Sequence, residues 1–389
     1  MRRLTSPRHL DALDVVRVLT IALVVAVHTL VGIPQANDVA TGAFVIVFHV
    51  SREIFLLLTA FVLMHVYGRR PVRWSAFWRR RYLLVIPPYV CWTLVYLLTF
   101  GDHLEPVAGL VVTLGRDLLT GAARYHLYFL LVSMQIYLCF PIIRRLIRAT
   151  RDHHGKLLVA AVVYQLTFTL AAHAGRPAGG VLGAWLGGPD ALLPSYVLYV
   201  IAGGVAAWHL DALERAVRVH SRAVLAAGGA SVVVGVVVYL VQVAAGRSPT
   251  DASAVFQPIV VVESVGVAAA FLALGVMWAD RGTPARRIVT AASDASFGVY
   301  LAHPLVIQVL LTLGVSTGLD AALGGAPEAL ALAVALLVIS PAVYVSAALV
   351  TAAARRTPLS LALTGRPWNR TGAHDIVVRT TAPAASRAA

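Results

Sequence analysis

Charge is scarce in this chain. Only 13% of its 389 residues are Asp, Glu, Lys or Arg, against about 25% in a soluble domain. With 59% hydrophobic residues, that scarcity excludes an ordinary soluble or intrinsically disordered protein. Cysteine is limited to Cys91 and Cys139. Both lie inside apolar runs without metal-type spacing, so neither a disulfide framework nor a cysteine metal site is indicated. Lysine is almost missing: Lys156 stands alone against 31 arginines. Acids number 18 against 32 bases, for a formal net charge of +14. On a soluble chain such a balance would suggest nucleic acid. In a membrane protein it is what cytoplasmic loops collect, and no nucleic-acid partner is expected.

What is present is long apolar runs, at a mean hydropathy of +0.79. About 20 apolar residues carry a helix across a bilayer. Ten spans are expected, near residues 15–33, 44–67, 83–100, 127–143, 157–174, 191–209, 223–245, 258–279, 296–315 and 329–352. The fold class is therefore all-α, a polytopic integral membrane helical bundle. The N-terminus resembles a signal peptide, but the length of its run and its Arg17 and His28 favour a retained first span. If the loops alternate between two sides, 27 of the 32 basic residues fall on one side and four on the other, with Arg52 inside a span. This bias assigns both termini to the cytoplasm and the chain to the plasma membrane. Residues 1–14 form a cytoplasmic lead, 15–353 the membrane domain, and 354–389 a polar tail expected to lack structure. The outer loop from Gly101 to His126 holds VAGLVVTLGRDLLTG, too short to span.

Ionisable groups inside a bilayer are costly and often functional. Arg17 and His28 are eleven residues apart, a rotation within about 20° of three full helical turns, so they share one face about 16 Å apart. Asp14 lies one turn before Arg17 and can pair with it. Singly, Arg17 fits a snorkelling anchor and His28 a helix-packing residue; together on one face they also fit a site. In the second span, His49, Arg52 and Glu53 sit at a similar depth to His28. Arg52 and Glu53 are adjacent and point in different directions, so each is expected to need another partner. His126 and Glu263 also lie toward the outer side, Gln135 within the fourth span, and His303 deeper in the ninth, where Pro304 frees a carbonyl. Polar groups at one depth on several helices imply a wet cavity in the outer half.

Five segments, in order, resemble the acyltransferase family 3 membrane enzymes, in particular surface-polysaccharide O-acetyltransferases. LDALDVVRVLTIALVVAVH resembles the family's opening helix, with Arg-x10-His at Arg17 and His28. SREIFLLLTAFVLMH is similar to the second helix at Arg52, Glu53, Phe55 and Phe61. FWRRRYLLVIPPYVCWTLVY resembles the Arg-rich turn and the helix after it, at Arg81, Pro88, Tyr89, Trp92 and Tyr96. YHLYFLLVSMQIYLCFPII matches at His126, Tyr128, Gln135 and Pro141, and ASFGVYLAHPL at Ser296, Gly298, Tyr300, His303 and Pro304. Thr59-Ala60 stands where many relatives have Ser-Gly, and Leu84 where other branches place a second Arg.

The resemblance implies acyl transfer, usually of acetyl from acetyl-CoA used at the cytoplasmic side, to a hydroxyl of a carbohydrate or glycolipid at the outer side, without a metal. In that framework His28 is the general base or a transient acyl carrier. Glu53 orients it, and Arg52 or His126 stabilises the oxyanion. Arg17, held by Asp14, joins Arg79, Arg80 and Arg81 on the donor phosphates; the triple Arg also fits simple positive-inside topology. Two other readings stand beside this one. A transporter would use the same intramembrane groups as a relay, and an envelope subunit would tolerate their loss.

Overall fold

The computed structural model describes residues 10–32, 38–100, 107–173, 189–318 and 328–368. Among the described residues the chain is helical without a strand, as a bilayer demands when every backbone polar group must be satisfied within its own segment. In chain order the helices are α1 (Asp11–Gly32), α2 (Val39–Phe48), α3 (Ser51–Tyr67), α4 (Trp74–Phe100) and α5 (Val107–Thr120). Then come α6 (Tyr128–Ala149), α7 (His154–His173), α8 (Val197–Trp208), α9 (Leu210–Val219) and α10 (Ser221–Ala244). The last are α11 (Pro258–Asp280), α12 (Arg286–Thr312), α13 (Ala329–Ala354) and α14 (Ser360–Thr364). Nine helices among the described residues are long and apolar enough to cross a membrane, counting α2 with α3 as one. At the sixth expected span stands a bent pair: Leu193–Trp208 turns by 91° into α9. Counting that pair gives ten, the number read from the sequence.

The first helix, α1, is the axis of the bundle and packs on α2, α3, α11, α12 and α13. Its neighbours come close because small residues let them. A Cβ at Gly275 would lie 2.4 Å from the Ala12 carbonyl oxygen, and one at Gly203 would lie 2.1 Å from that of Leu57. The second contact seals α8 against α3, the helix that carries Arg52 and Glu53.

The second span is not one straight helix. It turns at His49 and Val50, and Ser51, Arg52 and Glu53 form the first turn of α3. His49 Nδ1 lies 3.0 Å from the Ser253 carbonyl, which anchors the break. This corrects the expectation for the adjacent pair. Arg52 donates from Nε and Nη2 to Glu53 Oε1, at 3.0 and 2.7 Å. Neighbouring residues do diverge on a helix, but a guanidinium arm is long enough to fold back onto the carboxylate beside it.

The segment after α4, expected on the outer side, contains α5, tied down where Tyr89 Oη donates to the Asp117 and Leu118 carbonyls. The tail also departs from expectation. Its first part forms α14, and Trp92 Nε1 donates to the Leu363 carbonyl at 3.1 Å. Ser360 and Thr364 are buried there. An apolar Leu-Ala-Leu stretch in a polar tail gives it something to bury. Residues 1–9 and 369–389, including most of the expected lead and the end of the tail, lie outside the described residues.

Candidate active site

A cavity of about 540 Å³ opens between α1, α3, α6 and α12. Its wall includes His28, Arg52, Arg124, His126, Tyr128 and Tyr300. Four of the segments singled out in the sequence thus meet in one chamber.

The chemistry begins with Pro304. Proline has no N–H, so the carbonyl four residues back loses its helical donor. That carbonyl belongs to Tyr300, and His303 Nδ1 lies 2.8 Å from it, with the Val299 carbonyl at 3.2 Å. Carbonyls only accept, so the proton of neutral His303 is on Nδ1 and its Nε2 is a lone pair. His28 Nδ1 lies 2.8 Å from that Nε2 and must supply the proton between them. The remaining nitrogen of His28, Nε2, then carries a lone pair. His303 is fully buried, whereas His28 is half-buried and lines the chamber. A backbone carbonyl thereby fixes, through two imidazoles, which nitrogen of His28 is basic.

Tyr125 packs against the His28 ring at 4.4 Å between centroids. His126 sits edge-on to His303 at 5.3 Å and to Tyr300 at 5.0 Å, and its own carbonyl accepts from Tyr300 Oη. Neither ring nitrogen of His126 has a hydrogen-bond partner of good geometry among the described residues. It lies in the turn before α6. Burial, with His303, His28 and Arg124 nearby, holds it well below the ordinary histidine range, so it is neutral at pH 7.

Arg52 is buried and saturated. Besides Glu53 it donates to Asp190 Oδ1 at 2.6 Å and to Tyr128 Oη at 3.3 Å, and the Tyr196 and Phe256 rings flank it at 5.0 and 4.7 Å. Glu53 Oε1 is taken by Arg52, and its Oε2 is buried without a hydrogen-bond partner among the described residues. The group bonded to His28 is His303, and Glu53, expected to orient that ring, does not line the chamber. Glu53 instead fixes the guanidinium in the chamber wall. Glu263, also noted in the sequence, is fully buried against Gly235 of α10 and does not line the chamber. Gln135 works nearby as a clamp, bonding the Ala191 carbonyl and the Leu193 amide.

Toward the Arg-rich face the chamber abuts a narrow cavity of about 150 Å³, walled by Arg17, Thr59, Val62, Arg81 and Tyr137. Phe55 lines both. Arg17 and His28 therefore face two cavities that share Phe55 as a wall. Asp14 is buried, accepts from Ser293 Oγ at 2.7 Å and stands 3.7 Å from Arg17, so it fixes Arg17 to α12. Arg81 lies over the Tyr67 and Tyr137 rings at 5.4 and 6.0 Å. Arg79 and Arg80 are exposed and line neither cavity; the triple Arg divides, with Arg81 alone turned inward. Away from the Arg-rich face the chamber shares Val31, His49 and Val255 with a vestibule of about 640 Å³ that holds His173, Arg247 and Asp251.

Sequence reasoning missed three groups in the chamber. Arg124 and Tyr125 read as outer-loop residues, and Asp190 lies in a segment with no motif. Position beside His126 is the one signal that could have marked the first two. Among the described residues no three His, Cys, Asp or Glu side chains are arranged to hold a metal ion.

A family model described as an acyltransferase domain matches residues 10–345. No curated protein and no solved structure matches the chain.

Proposed function

The chain belongs to the acyltransferase family 3 membrane enzymes, and on that footing we propose that it moves an acetyl group from acetyl-CoA, taken from the cytoplasmic side, to a hydroxyl of a surface carbohydrate. The observation that carries this reading is the His303–His28 relay, which leaves a basic nitrogen on the wall of a chamber between an Arg-lined neck and an outer vestibule. The Arg-rich side is the cytoplasm by the positive-inside rule.

Each part has a task. The thioester arm threads the neck past Arg17 and Arg81, whose guanidinia meet the donor's phosphates. Along α1 the distance from Arg17 to His28 is about 16 Å, comparable to an extended pantetheine arm. The acceptor hydroxyl comes from the vestibule. An alcohol is a weak nucleophile at neutral pH, and His28 Nε2 takes its proton as the oxygen attacks the thioester carbonyl. The carbon–oxygen bond forms, and the negative charge moves to the carbonyl oxygen. His126, neutral, donates a hydrogen bond to it. The carbon–sulfur bond then breaks, and the proton on His28 returns to the departing thiolate. As His28 gains its proton, its Nδ1–H already points at His303, so the imidazolium is held without rearrangement.

The family membership favours this reading over an exporter that uses the same groups as a relay. Membranes bearing the protein, incubated with radiolabelled acetyl-CoA and envelope glycans, should transfer label to glycan. Substrate flux across the membrane without a donor, and no label transferred, would overturn the proposal.

A further inference from the structure

A second cavity on the Arg-rich side takes no part in the chemistry above. It is a basin of about 450 Å³ in the corner where α8 bends into α9, a size ordinary for a small-molecule site. Its wall carries His65, Arg69, Arg70 and Arg215, with Asp211 as the one carboxylate. Arg69 is committed: it donates to the Trp208 carbonyl at 2.8 Å and lies over the Trp208 ring at 4.7 Å, bracing the corner. Arg70 and Arg215 are exposed. His65 Nε2 is buried without a hydrogen-bond partner among the described residues.

The position of the basin matters as much as its charge. Phe55, Leu58, Val62 and His65 follow one face of α3 at spacings of three and four residues. The first borders the chamber and the neck, the next two line the neck, and the last lines the basin. Phe55 to His65 is ten residues, about 15 Å along the helix. A ligand whose reactive end lies beside Phe55 would therefore carry its other end into the basin.

We infer that this basin is a recognition site for the phosphorylated nucleotide head of the acyl donor. Arg70 and Arg215 would take phosphate oxygens, His65 would offer a further polar contact, and the indole of Trp208 would give an apolar wall for the base. This rests on the donor reading above and adds a location to it: Arg17 and Arg81 meet the diphosphate at the end of the donor's pantetheine stem, and the basin holds the nucleotide head with its further phosphate. An anionic lipid headgroup shares the phosphate chemistry, so the test separates the two.

The experiment measures the affinity of the purified full chain, in zwitterionic and in anionic-lipid nanodiscs, for CoA and for dephospho-CoA. The wild type should bind CoA at least tenfold more tightly than dephospho-CoA, with an affinity that falls as salt rises. The double variant Arg70→Ala, Arg215→Ala should weaken CoA binding tenfold or more and erase the preference. The double lysine variant, which keeps the charge, should retain most of both. Both arginines are exposed, where substitutions rarely disturb folding, and the lysine variant provides the check. Equal CoA binding by wild type and alanine variant in zwitterionic discs would overturn the basin while leaving the donor reading intact. So would an effect seen in anionic discs alone, which would mark a lipid site. A wild type that binds no CoA in either disc would sink the donor reading itself.

Discussion

Two histidine pairs in this molecule have the same bond and different surroundings. In the outer chamber His28 Nδ1 meets His303 Nε2 at 2.8 Å, and His303 is fixed by the Tyr300 carbonyl. On the opposite, Arg-rich side His154 Nδ1 meets His209 Nε2 at 2.8 Å, and His154 Nε2 is fixed by the Ile147 carbonyl at 2.8 Å. Each is a carbonyl, a buried imidazole and a second imidazole in series. The outer pair joins α1 to α12 and ends at a half-buried ring on the wall of the chamber, beside Arg52 and His126. The inner pair joins α7 to the corner between α8 and α9 and ends at an exposed ring. A lone pair held away from bulk water beside a bound hydroxyl can act as a base; the same lone pair in water competes with 55 M solvent and serves to hold a corner, in keeping with the general value of dry, preorganised sites. The bond alone does not make a catalytic group.

The sharpest way to break that contrast is to remove the terminal imidazoles. His28→Ala should lower turnover by about 10²–10⁴-fold, the usual value of a positioned base, while the chain still inserts into membranes. Turnover of the purified variant near the wild-type rate would end the assignment. His303→Ala should cost less, about ten- to a thousandfold in kcat with little change in the KM of either substrate, because it frees the tautomer of His28 without removing the base. His303→Gln, which keeps an acceptor in the fully buried position, should recover part of the loss. A His303→Ala variant with an unchanged kcat and a raised acceptor KM would show that the ring merely shapes the chamber.

Next in size is the inner mouth. Arg17→Ala should raise the KM for the donor about tenfold and leave that for the acceptor within about twofold, since a charge-assisted contact to phosphate is worth about 1.5–3 kcal/mol. Equal losses for both substrates would assign Arg17 to the α1–α12 packing that Asp14 mediates.

Much of this was legible in the sequence, for identifiable reasons. The spans were legible because a bilayer enforces length and hydropathy, and the shared face of Arg17 and His28 because helical geometry is local. The partner of His28 was not. His303 is 275 residues away, and no local rule sets which helices adjoin. The Arg52–Glu53 pair was misjudged because the divergence of adjacent helical positions was applied to the whole side chain, whereas the guanidinium arm folds back onto its neighbour. Arg124 was counted as a loop charge although it lines the chamber. The Arg79–Arg81 run shows the same limit: three identical neighbours, of which the packing of α4 turns one inward.

The inner pair predicts a smaller effect of a different kind. His154→Ala should lower stability by about 1–3 kcal/mol, the cost of leaving buried hydrogen-bond partners unmet, and keep kcat within about threefold. Thermal unfolding in detergent, beside the transfer assay, measures both. A hundredfold loss of kcat with unchanged stability would erase the distinction drawn between the two pairs.

The smallest effect concerns pH and His126. Its imidazole is held below the ordinary histidine range by burial first and by its histidine and arginine neighbours next. The folded chain therefore binds no proton there at pH values where the unfolded chain does. The sign follows from linkage: this contribution to stability is complete above the unfolded pKa of about 6.5 and is lost as pH falls below it. One such group adds at most about 1.4 kcal/mol per pH unit. Between pH 6.5 and 5.5 the wild type should lose stability more steeply than His126→Phe, by up to one proton's worth. Parallel slopes for the two proteins would mean that His126 takes up its proton in the folded chamber, and a neutral donor to the oxyanion would then have to be sought elsewhere on the wall, with Arg124 the first to substitute.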